Sequence, residues 1–136
     1  MKSHLLLIAI VAVSACISLS LKDCGNDREC LQTASRDCSG AKGSIPIEGN
    51  TSFYLEVRGQ EGNNCIVYER LDDPNIKALL DIINNRTGKS YTELSVLCKL
   101  PRNVTAPVTE LSNFAITSYC EGPLIDLLAV TTVVRK

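Results

Sequence analysis

Seven cysteines in 136 residues are the first side chains that could do chemistry. Cys16 closes an apolar run. The other six, Cys24, Cys30, Cys38, Cys65, Cys98 and Cys120, are spread through the rest of the chain. Structural zinc needs closely spaced Cys or His ligands, of the C-x-x-C kind. No such pair is present, and the only histidine is His4. A thioredoxin-type redox centre needs the same missing motif. An even set of cysteines in a small exported domain reads instead as three disulfides. Sequence alone does not choose among the pairings.

Carboxylates offer a second chemistry. Two acids at a suitable separation can hydrolyse a glycosidic bond, and Glu56 and Glu69 lie on segments that read as neighbouring strands. The plainer expectation makes both solvent-side residues, paired with Arg58 and Arg70 as antiparallel sheets allow. Asp72-Asp73 lacks the shell of oxygens that calcium requires, and Asp73 reads as a helix cap. Tyr54, Tyr68, Tyr91 and Tyr119 could line a sugar-stacking face, though scattered tyrosines are commonly half-buried strand residues.

Other chemistries are missing their parts. If His4 leaves with the N-terminal segment, no imidazole remains for Ser-His-Asp or Cys-His catalysis. No glycine loop of the dinucleotide or P-loop type is present, and no cofactor is expected. The 14 Lys plus Arg and 15 Asp plus Glu leave a net charge of −1. That balance gives no basic field for nucleic acid.

The first twenty residues read as an address. Lys2 precedes the apolar run Leu5–Ala15, and Ser14, Ser18 and Ser20 follow or close it. This is the pattern of a secretory signal. Three routes stay open. One is cleavage after Ser20. Another is a lipoprotein route, in which Val13-Ser14-Ala15-Cys16 resembles the lipobox and Cys16 takes the lipid. The third is an uncleaved anchor, at the short limit of a bilayer span. Residues 21–136 then form a single exported domain. Sequons at Asn50-Thr51-Ser52, Asn85-Arg86-Thr87 and Asn103-Val104-Thr105, all in expected turns, make Asn50, Asn85 and Asn103 glycosylation candidates.

The elements that must position these residues can be read from periodicity. Asn26 and Glu29 form a capping-box pattern for a helix over 27–38, which Gly40 stops and which turns Cys30 and Cys38 toward the core. Strands follow over 53–58 and 65–70, with a weaker one at about 43–48 and the loop Gly59–Asn64 between the two main ones. Asp73 and Pro74 open a second helix whose stripe is Ile76, Leu79, Leu80 and Ile83. Glu93–Leu100 alternates, with Leu94, Val96, Cys98 and Leu100 inward. Phe114–Cys120 alternates again. The apolar stretch Leu124–Val134 is too short to span a membrane and reads as a closing helix.

Helix, hairpin-linked strands and a closing helix give an α+β class: a small antiparallel sheet of about four strands with helices packed on it, stapled by disulfides. The order is similar to cystatin-like folds, an analogy that carries no function. The run Cys24–Cys38, written C-G-x-D-x-x-C-h-x-x-A-x-x-x-C, together with Cys120-Glu121-Gly122-Pro123-Leu124, resembles small exported proteins of unknown function from archaea and environmental bacteria. That resemblance implies export and disulfides and brings no activity. The expected function is a non-catalytic secreted or cell-surface binding or structural module. Its partner would be a protein or an envelope component, met through the Gly59–Asn64 loop and the Arg102–Thr109 segment. A carboxylate-based glycan hydrolase is the alternative.

Overall fold

The computed structural model describes residues 20–102 and 118–133, with side chains as far as residue 129. In chain order the elements are β1 (Lys22–Gly25), α1 (Arg28–Asp37), β2 (Ala41–Pro46), β3 (Ser52–Glu61), β4 (Asn64–Asp72), α2 (Ile76–Thr87), β5 (Leu94–Pro101), β6 (Cys120–Glu121) and α3 (Pro123–Val133). The class is α+β. The strands form one six-stranded sheet in sequential order. The pairs from β2 to β6 are antiparallel, whereas β1 and β2 are parallel.

The expectation of about four antiparallel strands is corrected on two counts. The sheet has six strands, because β1 is added at one edge and the weakly marked segment near 43–48 is a full strand, β2. Strand β1 reaches β2 through the α1 crossover, and a crossover of that kind delivers a parallel neighbour. The two strands approach closely. A Cβ on Gly43 would lie 2.5 Å from the Gly25 carbonyl oxygen, so only glycine fits there.

One face of the sheet holds the core. Leu31 and Ala34 of α1, Leu80 and Ile83 of α2, and Leu124 of α3 pack with Leu55, Val57, Val67, Val96, Cys98 and Leu100 from the strands. Each large apolar side chain buried there contributes roughly 2 kcal/mol. The inward alternation expected for β5 is present, with Leu94, Val96, Cys98 and Leu100 all buried.

The six cysteines pair as Cys24–Cys30, Cys38–Cys65 and Cys98–Cys120. The first ties β1 to the opening turn of α1. The second ties the C-cap of α1 to β4, the helix-to-sheet bridge that the inward-facing cysteines call for. The third joins directly opposed residues of β5 and β6.

Helix ends differ from the sequence reading. Asp27, not Asn26, caps α1, and its side chain accepts from the Cys30 amide at 3.0 Å. The reason is the turn before it: Asp27 N–H donates to the Cys24 carbonyl, and the Cys24–Cys30 bridge fixes that turn. Cys38 rather than Gly40 ends the helix, in the left-handed region at φ 52. A side chain costs about 1 kcal/mol there, and the bridge to Cys65 holds it. At α2, Asp73 lies before the N-cap position, which Asn75 occupies. Asp73 accepts from the Asn75 amide at 2.7 Å and from the Thr51 hydroxyl, fastening the β2–β3 turn to the start of α2.

Of the expected strand Phe114–Cys120, residues 114–117 lie outside the described residues, Ser118 and Tyr119 form a turn, and Cys120 begins β6. No helix among the described residues is long and apolar enough to cross a membrane.

Candidate functional site

Side chains alternate along a strand. The face opposite the helices therefore carries Lys42 and Ser44 from β2, Tyr54, Glu56 and Arg58 from β3, Ile66, Tyr68 and Arg70 from β4, and Ser95, Leu97 and Lys99 from β5. Register sets them in rows. Lys42, Glu56, Tyr68 and Leu97 stand opposite one another in turn, and beside them Ser44, Tyr54, Arg70 and Ser95. A bulge places both Arg58 and Gly59 against Ile66, and Gly59 takes φ 110.

These residues interlock. The Arg58 guanidinium lies 4.8 Å from the Tyr68 ring centroid, and its Nε is 2.7 Å from Glu56 Oε1. The Tyr54 hydroxyl donates to Glu56 Oε2 at 3.0 Å. Arg70 lies 4.9 Å from the Tyr54 ring centroid and grips Asp72 with Nε and Nη2 at 2.7 and 3.1 Å. The Tyr68 hydroxyl donates to Glu93 Oε1 at 2.7 Å. The two rings meet edge-on, 6.4 Å apart.

Each stacked cation contributes about 0.5–1 kcal/mol at such an exposed site, and each exposed ion pair about as little. Their joint effect is order, because every long side chain is held at two points. Burial, and then the carboxylates at their hydroxyls, raise both tyrosine pKa values. Both therefore stay protonated donors. The bond to Asp72 raises the Arg70 pKa further.

Two shallow dishes flank the lattice. One, of about 340 Å³, is lined by Asp23, Asn26, Lys42, Ser44 and Tyr54. The other, of about 320 Å³, is lined by Leu97, Lys99, Tyr119 and Glu121.

The two acids of the hydrolase reading are not brought together. Glu56 belongs to the lattice and pairs with Arg58, as the plainer expectation has it. Glu69 does not pair with Arg70. It faces the core, opposite Leu55 on β3 and Val96 on β5, and is 3% exposed. Its Oε1 has no hydrogen-bond partner, and burial pushes its pKa up to about 8. A signal for this was present in the sequence. Cys65, Val67 and Glu69 share strand parity, so a bridged Cys65 carries Glu69 inward with it.

The remaining candidates are placed as follows. Asp72 serves Arg70, and no group of three metal-ligating side chains occurs among the described residues. Tyr91 lies away from Tyr54 and Tyr68, donating to Asp126 of α3. The supposed loop Gly59–Asn64 is mostly strand, leaving only Gly62 and Asn63 between β3 and β4. Arg102 N–H donates to the Asn63 carbonyl, so the start of the second expected contact segment does adjoin this hairpin; its residues 103–109 lie outside the described residues. Asn50 is exposed in the β2–β3 turn. Asn85 is exposed too, but in the last turn of α2 and not in a loop, because the helix runs on to Thr87, whose hydroxyl donates to the Ile83 carbonyl. Cys16 and Asn103 lie outside the described residues.

Fold and staples together define a small disulfide-bonded α+β domain, with helices on one face of its sheet and an ordered tyrosine–arginine lattice on the other. No family model, no curated protein and no solved structure matches the chain.

Proposed function

We propose that this is a non-catalytic binding domain, secreted or held at the cell surface, that recognises a protein partner through the Tyr54–Tyr68–Arg58–Arg70 lattice. The observation that carries this reading is the pre-ordering of that lattice by Glu56, Asp72 and Glu93. Tyrosine and arginine dominate the energetic centres of protein interfaces. Side chains already fixed lose little entropy on contact. Glycan stacking is less well served, since a guanidinium already covers one face of each ring. The hydrolase alternative is weakened by the opposed directions of Glu56 and Glu69.

Three disulfides in a domain of this size fit an oxidising, extracellular setting. The N-terminal sequence supports export, with lipid attachment at Cys16 as the means of retention. Mass spectrometry of native protein tests this: loss of residues 1–15 with a diacyl mass on Cys16 supports anchoring, and cleavage after Ser20 supports free secretion.

Binding of labelled, disulfide-bonded protein to intact source cells tests the recognition surface. Tyr68→Ala and Arg70→Ala should each weaken saturable binding at least about tenfold, while Lys77→Ala on α2 leaves it unchanged. Equal weakening by all three variants would overturn the assignment to this face. Glycan turnover by purified protein, abolished by Glu56→Gln, would restore the hydrolase.

A further inference from the structure

We propose that Glu69 is a pH-responsive core group that tightens the domain in acid and loosens it as the solution turns alkaline. The proposal does not rest on the binding reading. It starts from geometry. Glu69 stands in the middle of the inward row Gly43, Leu55, Glu69 and Val96. Both ends of that row are closed by tight packing. Leu31 of α1 sits so near Gly43 that a Cβ there would be 3.1 Å from its Cδ1. A Cβ on Gly122, just before α3, would be 3.1 Å from the Val96 Cα. The carboxyl is thus held inside an apolar cluster.

Among the described residues, no charge faces it from the elements packed around it. On α1, Arg28, Glu29, Arg36 and Asp37 are exposed. On α2, Lys77, Asp81 and Arg86 are exposed, the first two paired with each other. On α3, Asp126 is engaged by Tyr91 and Lys89. On the neighbouring strands, Glu56 and Arg58 of β3 and Lys99 of β5 belong to the opposite face, and Glu61 is exposed at the hairpin end. A cationic partner would have held the carboxyl ionised. Without one, desolvation penalises the charged form and the neutral form is favoured.

The direction follows from linkage. The folded-state pKa, about 8, lies above the ordinary glutamate value of 4.5. Between those values the folded chain keeps a proton that the unfolded chain has lost, so stability falls as pH rises. Each pH unit in that window lowers the folded-to-unfolded ratio by up to about tenfold. Above the folded pKa the loss is complete. The three staples remain closed throughout, so the response is a loosening around β4 within a fixed covalent frame.

The test is urea unfolding of the disulfide-bonded protein at pH 5, 7 and 8.5, comparing wild type with Glu69→Gln, which keeps the shape and removes the titration. The wild-type midpoint should fall across the series relative to the variant's. Parallel profiles would overturn the proposal. A second measurement needs no variant: the Glu69 side-chain carboxyl, followed by carbon NMR in the wild type, should titrate well above pH 6. Titration below pH 5 would overturn it equally.

Discussion

Glu56 and Glu69 stand on paired strands yet point to opposite sides of the sheet, because Glu56 is in register with Tyr68 and Glu69 with Leu55. One residue of offset in parity separates a solvated ion-pair member from a buried core carboxyl. The same side-chain type therefore answers to different physics at the two positions.

Glu56→Gln should accordingly be mild. It removes an ion pair whose partners are 45% and 21% exposed, so its cost should stay below about 1 kcal/mol. Urea unfolding beside Glu69→Gln checks the contrast, and a cost of several kcal/mol would mean the lattice is structural and not merely ordered.

The staples should differ in worth. Cys38–Cys65 closes a separation of 27 residues and Cys24–Cys30 one of 6. In the chain-entropy model these correspond to about 3.5 and about 2 kcal/mol. Paired Cys→Ala variants, unfolded in urea, should show the larger loss for the first pair. Peptide mapping of unreduced protein should recover the three pairings, and any two free thiols among these six would refute them.

How much of this was legible beforehand follows from what each signal measures. Strong local periodicity located α1, α2, β3, β4 and β5, because one buried face imposes it. The even cysteine count pointed to three bridges, although their partners depend on long-range packing. Strand β1 offers no alternation to read, because Lys22–Gly25 is only 4 residues long and three of them are exposed. The sequence makes Asp73 a helix cap, whereas its two oxygens serve Asn75 and Thr51, the latter from a turn distant in sequence. The solvent-side expectation for Glu69 rests on pairing with Arg70, as antiparallel sheets allow. Tertiary packing overrode that preference, and the strand parity it shares with Cys65 was the better guide. The lattice was half visible: Glu56–Arg58 follows from spacing along one strand, whereas Arg70 over Tyr54 and Tyr68 beside Glu93 need the sheet to be assembled.

Closure of α3 onto the rest of the domain should depend on pH in the sense opposite to Glu69. Asp126 Oδ2 accepts from the Tyr91 hydroxyl at 2.5 Å and from Lys89 Nζ at 3.1 Å. The Tyr91 bond first, and Lys89 with it, hold the Asp126 pKa below the ordinary aspartate range, against a smaller opposing effect of burial. A lowered carboxylate pKa gives stability that is present above the unfolded value of about 3.8 and is lost as pH falls through the folded one. Tyr91→Phe should therefore cost about 1 kcal/mol at pH 7, the worth of one partly exposed hydrogen bond to a charged group. The difference from wild type should shrink as pH falls and Asp126 takes up a proton, since the bond then no longer ends on a charge. Urea unfolding at pH 7 and pH 2, with the disulfides intact, measures it. An undiminished gap at pH 2 would assign the Tyr91 effect to ring packing and not to the bond with Asp126.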